Sequence, residues 1–157
     1  MITLLLRIVA VFTVLAICAI LWMAANSWYT NAKSTFNRDI QKFAPCPASP
    51  NCVSTQAVSS DSEHFIAPIP FTGTAEEAKA RLLKVLQQMP RTKLLADEGN
   101  YIQVETRTAV MRFVDDVEFY IDSASQTIQF RSASRIGYGD MGTNRKRMEE
   151  IRAKFAE

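Results

Sequence analysis

The sequence predicts an α+β fold, a two-layer sandwich in which an antiparallel sheet of about five strands packs against two amphipathic helices, preceded by one N-terminal transmembrane helix. Three observations carry this. Eighteen residues from Ile8 to Ala25 include a single polar side chain, Thr13. Downstream, two segments repeat their apolar residues at helical spacing. Between and before them run short stretches of period two, the pattern of half-buried strands. A chain of 157 residues with a formal net charge of +2 excludes a multidomain enzyme and gives no case for a nucleic-acid partner.

At about 1.5 Å per residue the apolar run covers about 27 Å, close to the ~30 Å hydrocarbon thickness of a bilayer. Arg7 can snorkel to the headgroups at one end, while Trp22, Trp28 and Tyr29 suit the interface at the other. Residues 1–25 therefore read as a transmembrane anchor or uncleaved signal, with the membrane as partner through residues 2–25. A cleaved signal peptide competes with this reading. Against it, such apolar regions run about 7–15 residues, and Met23 stands where cleavage after Ala25 wants a small side chain. Residues 26–45 are mixed and polar and read as a linker; residues 46–157 read as a single domain.

HFIAPIPF (64–71) reads as an edge strand, because Pro68 and Pro70 cannot donate to a ladder. Thr74 and Glu77 have capping-box spacing, and Ala78, Leu82, Val85, Leu86 and Met89 share a helix face that Pro90 ends. Strands at 92–96 and 101–107 flank a turn, Asp97 to Asn100. In VEFYID (117–122) and TIQFRSASR (127–135) the apolar residues alternate, so an antiparallel pair aligns its apolar faces only when opposed numbers sum to an odd value. A turn at Ala124 and Ser125 sets that sum at 249, placing Phe119 opposite Phe130 and Glu118 opposite Arg131. A last helix over 143–156 shows Met148, Ile151 and Phe155 as its stripe, with Arg145–Glu149 and Lys146–Glu150 as i,i+4 pairs.

Sidedness receives conflicting signals. Lys33, Arg38 and Lys42 follow the span where only Arg7 precedes it, which favours a cytoplasmic domain. Cys46 and Cys52 enclose a short loop, PASPN, that a disulfide can close, which favours an oxidising compartment; two unpaired thiols are the alternative. His64 is the only histidine, so a closed zinc site lacks ligands, and no metal or cofactor is expected.

Chemistry concentrates in RSASRIGYGDMGTNRKR (131–147). Arginines flanking two glycines before a helix suit an anion, which makes Arg131, Arg135, Asn144 and Arg145 candidates for an anionic ligand or partner. Internal pairing is the competing use. Residues 97–122 carry a net −5 and residues 131–157 a net +3, so Glu118 and Asp116 can pair with Arg131, and Asp115 can hydrogen-bond Ser134. Asp115 and Asp116 point to opposite strand faces, and the serines have no adjacent base, so no catalytic residue is assigned.

CPASPNCVS (46–54), FVDDVEF (113–119) and RSASRIGYGDMGTNRKR (131–147), in this order and spacing, resemble the family catalogued as domain of unknown function number 1499. The resemblance covers nearly all of 46–157. It implies a bacterial or plastid protein, commonly behind an N-terminal membrane segment, and so a periplasmic or otherwise exported domain on a single-pass inner-membrane anchor. It implies no activity. The expectation is a non-enzymatic envelope domain that binds an anionic ligand or a protein partner. Two alternatives stand beside it: a hydrolase acting on a lipid or cell-wall component through Asp116 and Glu118, and a structural subunit of a membrane complex.

Overall fold

The computed structural model describes residues 2–30, 34–36 and 42–157. The chain divides into two compact units, Met1–Ala32 and Lys33–Glu157. The first contains helix α1 (Ile2–Thr30). From Ile8 to Trp22 its large apolar side chains are exposed around the whole circumference, and Thr13 satisfies its hydroxyl on the carbonyl of Val9 at 2.8 Å. Described side chains of α1 run from Arg7 to Trp22 and resume at Ala25; among the described residues no helix is long and apolar enough to cross a membrane. The expected interfacial rings of Trp28 and Tyr29, the flanking charges Lys33 and Arg38, and positions 31–33 and 37–41 of the linker lie outside the described residues.

The second unit is the expected α+β sandwich, with six strands rather than about five. In chain order they are β1 (Cys52–Ser54), β2 (Ile69–Pro70), β3 (Thr92–Glu98), β4 (Tyr101–Arg107), β5 (Val114–Asp122) and β6 (Thr127–Ser134). Helix α2 (Ala75–Gln88) intervenes after β2, and α3 (Thr143–Ala156) closes the chain. The pairings between these strands are all antiparallel, in the order β1-β6-β5-β4-β3, with β2 also pairing β6. The strand expected over 64–71 contracts to Ile69–Pro70. Its prolines withhold donors, and the carbonyls of Ala67 and Pro68 are taken instead by the guanidinium of Arg152.

Local signals determine most of the rest. Thr74 caps α2 through both arms of the box: Glu77 N–H donates to its hydroxyl at 3.2 Å, and its own N–H donates to Glu77 Oε2 at 2.9 Å. β5 and β6 pair at the sum of 249, with Phe119 opposite Phe130, Ile121 opposite Ile128 and Glu118 opposite Arg131. Val117, Phe119, Ile121, Ile128 and Phe130 are completely buried under Leu82 of α2 and Met148 and Ile151 of α3. The i,i+4 pairs differ from expectation. Glu150 meets Lys154 at 3.9 Å, the acid-first order that the helix dipole favours, while Glu149 meets Arg152 at 2.9 Å. Arg145 turns away to the carbonyls of Ser62, Glu63 and Phe65.

Candidate functional site

The sheet has one apolar face against the helices, and alternation puts charged residues on the other. Register brings them together: Glu105 faces Asp116 across β4–β5, and Glu118 faces Arg131 across β5–β6. Arg135, just past β6, donates to Asp116 Oδ1 at 2.8 Å and to Glu105 Oε2 at 3.0 Å. Arg107 donates to Glu105 Oε1 at 2.7 Å. Arg131 Nη1 stands 3.5 Å from Glu118 Oε2, and Tyr101 donates its phenolic hydrogen to Glu118 Oε1 at 2.8 Å. Thr35 closes the group: its N–H donates to Asp116 Oδ2 at 2.7 Å, and its hydroxyl lies 3.1 Å from both that oxygen and Arg131 Nη1. Asp116 and Glu118 are completely buried and Arg131 nearly so.

Burial and these neighbours set the protonation. Burial, then the negative charge of Glu118, pushes the Tyr101 phenol far upward, so it stays a neutral donor. Burial lowers Arg131 from its ordinary value. Burial would lower Arg135 too, but its hydrogen bond and charge contact with Asp116 raise it. Both arginines remain cations at any physiological pH.

A second polar group lies on the helix side, at the sheet end where β5 begins and β6 stops. Asn144, in the first turn of α3, is buried at its centre. Its Oδ1 accepts from Ser132 Oγ at 2.5 Å and from Arg147 Nη1 at 2.8 Å. Its Nδ2 lies within 3.1 Å of the Asn51 carbonyl, Ser134 Oγ and Asp140 Oδ2. Arg147 reaches Asp115 Oδ2 at 2.5 Å. Asp115 does sit opposite Ser134, yet each finds its partner on α3 rather than in the other. Asp140 accepts from the N–H groups of Gly142 and Asn144, so the α3 N-terminus already holds an anion from its own chain. The helix begins after Gly142 at φ +73°, a left-handed position that a side chain would strain.

Cys46 and Cys52 are joined as a disulfide with Cα atoms 5.6 Å apart. The loop they close presents Asn51, whose side-chain amide donates to the Gly137 carbonyl at 2.6 Å and whose carbonyl accepts from Ser134 N–H at 3.0 Å. His64 ties this loop to the next one, with Nδ1 2.7 Å from Asp61 Oδ2 and Nε2 3.3 Å from the Ser49 carbonyl.

Of the proposed anion ligands, the structure thus places Arg131 and Arg135 among carboxylates, Asn144 in a buried network and Arg145 on backbone carbonyls. Sequence reasoning did not single out Arg147, Tyr101, Asn51 or Thr35. The signal for the first of these is helical spacing, since residues 144 and 147 share a helix face with the buried Met148 and Ile151. Nothing local pointed to Thr35, whose partners lie 81 or more positions away. A cleft of about 340 Å³ opens beside the second group, between the β3 and β4 ends and α3, and is lined by Arg91, Thr106, Arg107, Thr143, Lys146 and Arg147 among others. Among the described residues no cluster of histidine, cysteine and carboxylate could hold a metal ion.

A family model described as a protein of unknown function, DUF1499, matches residues 42–155. The chain belongs to the DUF1499 family. No curated protein and no solved structure matches it. The DUF1499 match begins ahead of Cys46 and takes in Phe43, which is buried and donates its N–H to Gln56 Oε1 at 3.0 Å. All residues of the two polar groups except Thr35 fall inside the DUF1499 region.

Proposed function

We propose that the protein is a single-pass inner-membrane protein whose DUF1499 domain sits on the exported, periplasmic side and works by binding rather than by turnover. Residues 2–25 are the anchor. Support for it comes from a helix exposing large apolar side chains on every side, an arrangement suited to a lipid environment. Support for export comes from the Cys46–Cys52 disulfide, which persists in oxidising compartments.

One observation carries binding over catalysis. Asp115, Asp116 and Glu118 are all buried, each with a guanidinium within 2.5, 2.8 and 3.5 Å. A hydrolase needs a carboxylate in reach of a substrate proton, and these are enclosed by their own arginines. The purified full-length chain is accordingly expected to show no turnover on a broad panel of esters and phosphoesters. Turnover abolished by Asp116→Asn would establish the hydrolase reading instead. The subunit reading has one observation in its favour: β3 is an edge strand that exposes Leu94 and Leu95.

A further inference from the structure

We propose that the cleft beside the start of α3 seats the phosphate of an anionic phospholipid, and that the two loops flanking it enter the headgroup layer of the bilayer. The inference deepens the binding reading and rests on it. Four cations line the cleft, and they are not equivalent. Arg107 is held by Glu105 and Arg147 by Asp115. Arg91 spends only its Nε, on the Arg107 carbonyl at 3.0 Å, and neither Arg91 nor Lys146 has a carboxylate partner among the described residues. Glu150 also lines the cleft, and Lys154 stands 3.9 Å from it. The cleft therefore holds two uncommitted positive charges beside two neutralised ones.

An independent observation points to a ligand. Thr106 lines the same cleft and is 4% exposed, yet its buried hydroxyl has no hydrogen-bond partner among the described residues. An unmade bond of this kind costs free energy unless something fills it. A guanidinium, an ammonium and a hydroxyl together suit a tetrahedral oxyanion.

The surroundings choose the source of that phosphate. Ala109 lines the cleft, and the chain runs on directly to Val110, 80% exposed, then Met111 and Arg112. Thr143 lines it too, two residues after Met141, which is 96% exposed; Tyr138 in the same loop is 79% exposed. Both loops leave the same end of the sheet, since Arg135 N–H bonds the Val114 carbonyl across their bases at 3.0 Å. Exposed methionine, valine and tyrosine around a cationic cleft match a lipid surface: apolar tips for the interface, and a charged seat for the headgroup. A free phosphoester would leave those side chains unused.

The test uses the full-length chain, with Cys18→Ser and Met141→Cys carrying an environment-sensitive fluorophore. It is placed in nanodiscs of phosphatidylcholine alone or mixed with phosphatidylglycerol. The disulfide is kept oxidised, and co-elution with the disc reports the anchor separately. Spin-labelled lipid is expected to quench the fluorophore in the anionic discs and not in the neutral ones. Lys146→Glu is expected to weaken that docking about tenfold. Quenching that ignores both lipid charge and Lys146 would overturn the proposal. So would a fluorophore that stays in water while glycerol phosphate protects the cleft, since the ligand would then be a free phosphoester. Thr106→Val keeps the shape of the side chain and loses the hydroxyl; reduced docking at a melting temperature no lower than that of the parent chain is the expected result, because an unpaired buried hydroxyl is removed. Loss of co-elution alone would count against the anchor, not the cleft.

Discussion

Arg135 ties together the carboxylates of two strands. It bonds Asp116 through both Nε and Nη2 and Glu105 through Nη2, while Thr35 supplies the other bonds to Asp116. Arg135→Ala would leave a completely buried carboxylate short of its countercharge, an expected cost of about 3 kcal/mol. Urea denaturation of the single variant, of Asp116→Asn and of the pair checks this. The double loss should fall well short of the sum, because both changes remove the same contact. Asn144 makes a different case, since its amide has both donor and acceptor roles to fill. Asn144→Ala leaves Arg147, Ser132 and the Asn51 carbonyl short of partners and is expected to cost about 2 kcal/mol. Asn144→Asp keeps the shape but faces an acceptor toward Asp140 Oδ2 and the Asn51 carbonyl, so its urea midpoint should fall below that of the alanine variant. Residue types at this scale were legible in part: Asp115, Asp116, Glu118, Arg131 and Arg135 draw notice in the sequence, while Arg147 does not stand out. Their partners were not, except where strand register dictated them. Arg135 and Arg147 lie beyond the strand and on a helix, and no periodicity relates such positions to β5.

At the scale of elements, the capping box, the stop before Pro90 and the odd-sum parity of β5 and β6 were readable because each is a local rule. β1 was not, being three residues, Cys52–Ser54, too few to show a period. Its importance comes from the loop before it. The Cys46–Cys52 closure holds Asn51 where its carbonyl receives both Ser134 and Asn144, so the loop helps dock α3 on β6. For a loop this short, removing the bridge in a Cys46→Ser, Cys52→Ser variant is expected to cost about 2 kcal/mol. His64 adds a pH dependence to the same loop. Its ring nitrogens face two acceptors, and the hydrogen bond to Asp61 raises its pKa above 6.5. A raised folded-state value means that this stabilisation is complete below about pH 6.5 and is lost as pH rises through the folded pKa. Asp61, lowered from 3.8 by the same hydrogen bond, contributes above that value and loses its share as pH falls through its own folded pKa. The melting temperature should therefore decline as pH rises from about 6.5 through the raised folded-state value, more steeply than in His64→Gln. Identical slopes would remove His64 from the account.

Over the whole molecule, a net charge of +2 conceals a division of labour. The acidic stretch around β5 and the basic stretch after it do meet, through Glu118 with Arg131, Asp116 with Arg135 and Asp115 with Arg147. Most of the charge that made residues 131–147 look like a binding surface is thereby spent inside, while of the four cations lining the cleft Arg91 and Lys146 stay without a carboxylate partner among the described residues. The placement of this domain across a membrane is where two sequence signals disagree. Flanking lysines and arginines favour a cytoplasmic domain, and the cysteines favour export. The positive-inside bias is a statistical preference of insertion, whereas a disulfide is a chemical consequence of compartment, so export is the side we predict. In intact cells, an impermeant protease admitted only to the periplasm should degrade the domain, and protein recovered with its thiols blocked at lysis should be lighter by the hydrogens that one disulfide removes. Val14→Lys with Ile17→Lys puts two charges at the centre of the apolar run, each costing about 3 kcal/mol there, and should release the chain from the membrane fraction. A protected domain with both thiols of Cys46 and Cys52 free would reverse the orientation while leaving the anchor in place. Retention of the doubly charged variant in washed membranes would mean that residues 2–25 are not what holds the protein there.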